Sequence, residues 1–145
     1  VMHTLYSDSD AVTTFACAGR HRRYLETAKR VAEESEFPDY RHGALLVRGG
    51  SILNSAYNKN SHIGWANKFR AKACGHATHH AELGAILGVD RSKTAGADVY
   101  VVRIGRTGDL KMSKPCQMCQ NVLAHMGVKR VYYSIDEKNI GCIKL

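Results

Sequence analysis

The feature that most constrains this chain is a pair of short stretches: His80-Ala81-Glu82, and Pro115-Cys116-Gln117-Met118-Cys119, whose first cysteine lies 36 positions after that histidine (116 − 80). His80, Cys116 and Cys119 offer one imidazole and two thiolates, and a tetrahedral Zn²⁺ held by three protein ligands keeps its fourth position for water. Glu82 lies two residues beyond the histidine. It need not bind the metal and is close enough to take a proton from that water. Neither half decides alone. A histidine with a glutamate two residues on is common on solvated helices, and Cys-x-x-Cys also serves as a redox pair, half of a structural zinc site or two buried thiols. Pro115 narrows the choice, because a proline at a helix start has no N–H to waste. The cysteines are therefore expected on a first helical turn, where exposed amides and the dipole favour thiolates. With helical sequence after each half, the two support one reading, a zinc centre built for chemistry.

The rest of the chain predicts one three-layer α/β/α unit. Tyr24, Ala28, Val31 and Ala32 recur at helical spacing over 20–36, and Phe37-Pro38 closes the segment. Residues 44–47 and 51–57 flank Arg48-Gly49-Gly50 and read as a hairpin. A polar loop is expected over 58–75, then a helix over 79–87 whose Leu83, Ile86 and Leu87 face the sheet. A strand over 98–104, a glycine-containing connection over 105–113, a helix over 116–126 ending at Gly127 and a strand over 131–135 follow. Only residues 136–139 precede the apolar run 140–143, too few for a parallel crossover, so the last two strands are expected to be antiparallel.

Taken with the order of Tyr-Arg-His-Gly-Ala-Leu-Leu-Val (40–47), Ala-Tyr-Asn (56–58), His-Ala-Glu and Pro-Cys-x-x-Cys, the chain resembles the cytidine deaminase superfamily from about Arg20 onward, most closely its small single-domain phage or bacterial members. The resemblance implies a mixed five-stranded sheet between helical layers, and hydrolytic deamination of a cytosine-type nucleoside or nucleotide with release of ammonia. It implies Zn²⁺ on His80, Cys116 and Cys119, and Glu82 as the catalytic proton carrier. Asn58 matches the superfamily's sugar- or base-contacting asparagine, with a plain turn residue as its alternative, and the Ala81 amide would bond the base carbonyl. The branch stays open. An antiparallel C-terminal hairpin resembles free-cytidine and toxin-type deaminases, whereas a ligand histidine resembles the deoxycytidylate, transfer-RNA and polynucleotide enzymes. Lys114, where many relatives carry glutamate or an apolar residue, puts a cation at the metal rim.

Composition bounds the setting. The chain has 145 residues, 44% of them hydrophobic, which suits a single domain over 1–145, with 1–19 as a loosely ordered N-terminal extension. No apolar run approaches the 18 or so residues needed to cross a bilayer, and no leader pattern opens the sequence, so a cytoplasmic protein without membrane contact is expected. Five cysteines, two of them assigned to metal, fit a reducing compartment. Lysine and arginine exceed acidic residues by 21 − 13 = 8, a field that attracts phosphate-bearing partners or simply keeps the chain soluble. Lys59, Lys68, Arg70 and Lys72 interleave with Trp65 and Phe69, as a base-stacking, phosphate-binding loop would, though the two aromatics equally suit a loop anchor. Of Tyr132 and Tyr133, alternating on a strand, one is expected to pack inward and the other, Tyr133, to border the pocket. Cys74, His76 and His79 are candidates for a second metal site, or else a buried thiol with loop and cap histidines. A nucleic-acid editing deaminase and a structural zinc module closed by a fourth protein ligand are the rival readings. Homo-oligomerisation is left open.

Overall fold

The computed structural model describes residues 3–4, 12–16, 19–37, 40–62 and 78–145. Trp65, Phe69, Lys68, Arg70, Lys72, Cys74 and His76 lie outside them. Helix α1 (Gly19–Ala32) is followed by the hairpin of β3 (Arg41–Arg48) and β4 (Ser51–Tyr57). Its turn is Gly49-Gly50, both at positive φ (59° and 79°), the backbone that a two-residue hairpin of right-handed twist needs. Strand β5 (Lys59–His62), within the stretch expected to be loop, pairs with β6 (Thr78–His79), so His79, expected to open the next helix, lies in a strand instead. Helix α2 (Ala81–Ile86) and the short α3 (Arg91–Thr94) lead to β7 (Asp98–Ile104). A two-residue β8 (Leu110–Lys111) folds back on β7; α4 (Gln117–His125), β9 (Arg130–Ser134) and β10 (Asn139–Lys144) complete the chain.

The five expected strands lie side by side in the order β4-β3-β7-β9-β10. β7 and β9 are parallel, joined over the sheet by α4, and the terminal β9–β10 pair is antiparallel, as the short connection requires. The sheet is wider than expected. β2 (Val12–Ala16) pairs antiparallel with β10, and β1 (His3–Thr4) pairs with β2, so part of the N-terminal extension covers what would be an exposed edge.

Period-two alternation splits the sheet into two apolar faces. Leu45, Val47, Tyr100, Val102, Ile104 and Ile140 pack against Tyr24, Leu25, Ala28 and Ala32 of α1. Ala44, Leu46, Val99, Val101, Val131 and Tyr133 pack against α2 and α4. α1 approaches β3 very closely: a Cβ on Gly43 would lie 2.2 Å from the Ala28 carbonyl oxygen and 2.6 Å from the Ala32 nitrogen. Glycine facing two alanines is what allows that contact. α1 also ends at Ala32, short of Glu36, because Ser35 turns away and donates its hydroxyl to Asn58 Oδ1 at 2.6 Å.

Candidate active site

His80, Cys116 and Cys119 meet although 39 residues separate the first from the last, with ligand atoms all within 4.8 Å of one another. His80 is the N-cap of α2 and Cys116 the N-cap of α4, while Cys119 sits in the first turn of α4. Two helices starting at the same end of the sheet thus bring their first residues to one point. Pro115 stands one residue before the cap, and its carbonyl accepts a hydrogen bond from Gln120 Nε2 at 2.9 Å. His80 Nδ1 lies 3.1 Å from Cys119 Sγ. Zn–S bonds of ~2.3 Å and Zn–N bonds of ~2.0 Å in a tetrahedron put ligand atoms ~3.5 Å apart, so the three donors need only small adjustments to share an ion. Among the described residues they form the one group of this kind. The Cys116 thiol beside His80 is the largest influence raising its pKa, opposed by burial and aided by Glu82.

The loop that delivers Cys116 is anchored. Ser113 Oγ donates to the carbonyls of Val101 and Ser134 (3.0 and 3.1 Å) and accepts from the Ser134 amide at 2.8 Å, all within the buried interior. This knot fixes the chain against the middle of β7 and the C-terminal end of β9, three residues before the first thiol.

A cleft of about 350 Å³ opens beside the donors, lined by Phe37, Tyr40, His42, Asn58, Lys59, His80, Ala81, Glu82, Ser113, Lys114 and Cys116. Glu82, in the first turn of α2, is only 5% exposed yet lines this space. Ala81 forms part of the wall, and as the first residue of a helix its amide has no acceptor within that helix. Among the described residues, Lys114 and Lys59 are the lysines that line the cleft.

Two expectations change. Tyr133 does not border the cleft: it is 1% exposed and lies in the core with Met118, Cys119 and Val122, its ring over Gly141, where a Cβ would sit 2.2 Å from Cζ. The residue supports the underside of α4, and Tyr132, on the other face, is buried as well. Asn58 does line the cleft, but its side chain is committed to the protein. Oδ1 accepts from the His42 amide (2.9 Å) and the Ser35 hydroxyl (2.6 Å), and Nδ2 donates to the Tyr40 carbonyl (2.6 Å). With both oxygen lone pairs used, Asn58 retains one N–H to offer a ligand. Trp65 and Phe69, and Cys74 and His76 of the suggested second metal site, fall outside the described residues, as does the His79 side chain.

His42, Tyr40, Phe37 and Ser113 were not singled out in the sequence as site residues. For His42 a signal existed: Ala44 and Leu46 face α2, so strand parity puts His42 on the same face, at the end where His80 and Glu82 start their helix. Burial is the main influence holding the His42 imidazole below its ordinary pKa, with the Glu82 carboxylate opposing it.

Known proteins resemble this chain in sequence and in fold. Residues 18–135 match the cytidine and deoxycytidylate deaminase zinc-binding region. A deoxycytidylate deaminase of Mycobacterium phage D29 is 25% identical over 125 residues, covering 76% of this chain and 90% of the phage protein. Among solved structures, the apo dCMP deaminase of cyanophage S-TIM5 superposes with a TM-score of 0.53 at 23% identity, covering 79% of this chain and 81% of that one. The same enzyme in complex with dCMP and dUMP gives 0.50 at 24% identity, covering 77% and 78%. RibD of Acinetobacter baumannii gives 0.51 at 16% identity over 79% of this chain and 27% of its own. The matched span holds the histidine, both cysteines and the glutamate of the cleft, and the chain belongs to the cytidine and deoxycytidylate deaminase zinc-binding family.

Proposed function

We propose that this protein hydrolyses the exocyclic amine of a free cytosine nucleotide, with deoxycytidylate as the preferred substrate, giving the uracil nucleotide and ammonia. The observation that carries this reading is the convergence of His80, Cys116 and Cys119 with the Glu82 carboxylate in one nucleotide-sized cleft. When bound, zinc in such a donor set supplies Lewis-acid activation of water, lowering its pKa toward ~7. Glu82 handles the protons. It accepts one as water adds to the amine-bearing ring carbon, delivers one to the adjacent ring nitrogen, and later protonates the departing amine. The cleft encloses the base so that these transfers occur away from bulk water, and the Ala81 amide offers a donor to the base carbonyl.

Lys59 and Lys114 support a phosphate-bearing substrate, since both line the same cleft. So do the phage relatives: one is named a deoxycytidylate deaminase, and the other was solved with dCMP and dUMP. The net charge of +8 favours a second reading, deamination of a base within a single-stranded polynucleotide. Ammonia release from cytidine, deoxycytidine, their monophosphates, adenosine, guanine and a single-stranded oligonucleotide separates the two. The monophosphates should be the best substrates, with a shallow salt dependence. A polymer substrate would release several counterions and weaken steeply with salt. Efficient turnover of the oligonucleotide with none of the free cytosine compounds would overturn the first reading. Among the described residues no helix is long and apolar enough to cross a membrane.

A further inference from the structure

We propose that His42 is a specificity-determining residue of the cleft, its Nε2 accepting a hydrogen bond from a sugar hydroxyl of the substrate. The inference rests on the deaminase reading above and concerns which side chain recognises the sugar.

A sugar hydroxyl can accept a hydrogen bond, for instance from the remaining Asn58 N–H, but the hydrogen it carries needs an acceptor of its own. Among the described residues lining the cleft, few acceptors remain. Asn58 Oδ1 is occupied by the His42 amide and the Ser35 hydroxyl. Ser113 Oγ is enclosed by Val101 and Ser134. Glu82 is taken up with proton transfer at the base. Tyr40 is 60% exposed, lies at the mouth with its ring over the Arg103 guanidinium, and marks the outer edge of the site. His42 remains.

Its geometry suits the task. A carbonyl oxygen can only accept, so the contact between His42 Nδ1 and the Tyr40 carbonyl at 3.3 Å makes Nδ1 the protonated nitrogen. Burial is the largest influence and holds the imidazole below its ordinary pKa, against the opposing pull of Glu82 and of the Tyr40 carbonyl. Nε2 then carries a lone pair, and no described residue hydrogen-bonds to it. The backbone of His42 is itself fixed by the Asn58 bond, so the ring stands on a preorganised strand end. The amine-bearing carbon must lie by His80, Cys116 and Cys119, and His42 lines the same cleft, two residues along β3 from Tyr40, within reach of a sugar that extends from the base toward that strand. A ring-amine contact at His42 would instead belong to the chemical step and affect every substrate alike.

The test uses the full zinc-loaded chain with dCMP and 2′,3′-dideoxycytidine 5′-monophosphate, which lacks the 3′-hydroxyl, measuring kcat and KM for each. Wild type should prefer dCMP by about tenfold in kcat/KM, the size of one hydrogen bond. His42→Ala should bring that ratio toward one, chiefly through KM for dCMP, and His42→Gln, which restores an acceptor, should recover part of it. Equal use of the two nucleotides by wild type overturns the proposal, and that measurement stands even if His42→Ala fails to fold. An unchanged ratio in His42→Ala, with kcat lowered equally for both, also overturns it and assigns the histidine to Glu82. Wild type that deaminates no cytosine compound overturns the deaminase reading first and this proposal with it.

Discussion

Replacing Glu82 by glutamine isolates the proton-transfer role, because the amide keeps the shape of the carboxylate and can no longer carry protons. Glu82 is the one carboxylate among the described residues of the cleft, so no neighbour takes over its role. A positioned acid or base contributes ~10²- to 10⁴-fold, and here one group serves several transfers. A loss of at least ~10³-fold in kcat is expected, about 4 kcal/mol of barrier. The zinc donors His80, Cys116 and Cys119 do not include Glu82, so metal content should stay near one ion per chain. The side chain is 5% exposed and the substitution leaves no cavity, so the thermal midpoint should move by only a few degrees. Ammonia release under saturating dCMP, zinc by atomic absorption and a melting curve on the same preparation check all three. A kcat within about tenfold of wild type at full zinc occupancy would refute the role, since no proton carrier of this kind contributes so little.

Other substitutions probe the metal, the packing and the phosphate. Cys119→Ala removes a fully buried donor and should abolish tight zinc binding and turnover together; stoichiometric metal retained through dialysis against a weak chelator would contradict the ligand set. Gly43→Ala drives a methyl against the Ala28 and Ala32 backbone, which no rotamer change relieves, and should cost ~3 kcal/mol. That cost corresponds to roughly 10 °C in melting temperature, and a shift under about 2 °C would show that α1 is not so tightly seated. Lys114→Ala should lower kcat/KM for dCMP about fivefold, roughly 1 kcal/mol for a partly exposed charge, and leave deoxycytidine unaffected; equal losses on both would place the lysine elsewhere.

Much of this site was legible in the chain because its chemistry is carried by residue type at short spacing. A histidine and a glutamate two apart must share the start of a helix, and two cysteines three apart must share a turn, so each half of the centre is local. Strand periodicity and the Gly49-Gly50 pair were equally local, and the antiparallel end followed from too few residues for a crossover. The cleft's remaining wall was not local. His42, Asn58 and Tyr40 owe their roles to hydrogen bonds among one another across 16 to 18 residues, and Ser113 to a knot with Ser134 spanning 21. Asparagine and tyrosine residue types announce neither use. Asn58 was read as a ligand contact or else a turn residue, and the fold spends its oxygen on the His42 amide and the Ser35 hydroxyl; Tyr133 was assigned to the pocket, and strand register turned it into the core over Gly141. β2 was hidden because Val-Thr-Thr-Phe-Ala carries no apolar–polar alternation and becomes a strand only when an edge such as β10 supplies its partners. The sequence by itself therefore determined which donors could hold a metal, which carboxylate starts the helix beside them, and the order of the layers, all from local spacing. Tertiary structure alone decided which polar atoms were left free to meet a substrate, since that depends on how many partners the folded chain has already given each of them.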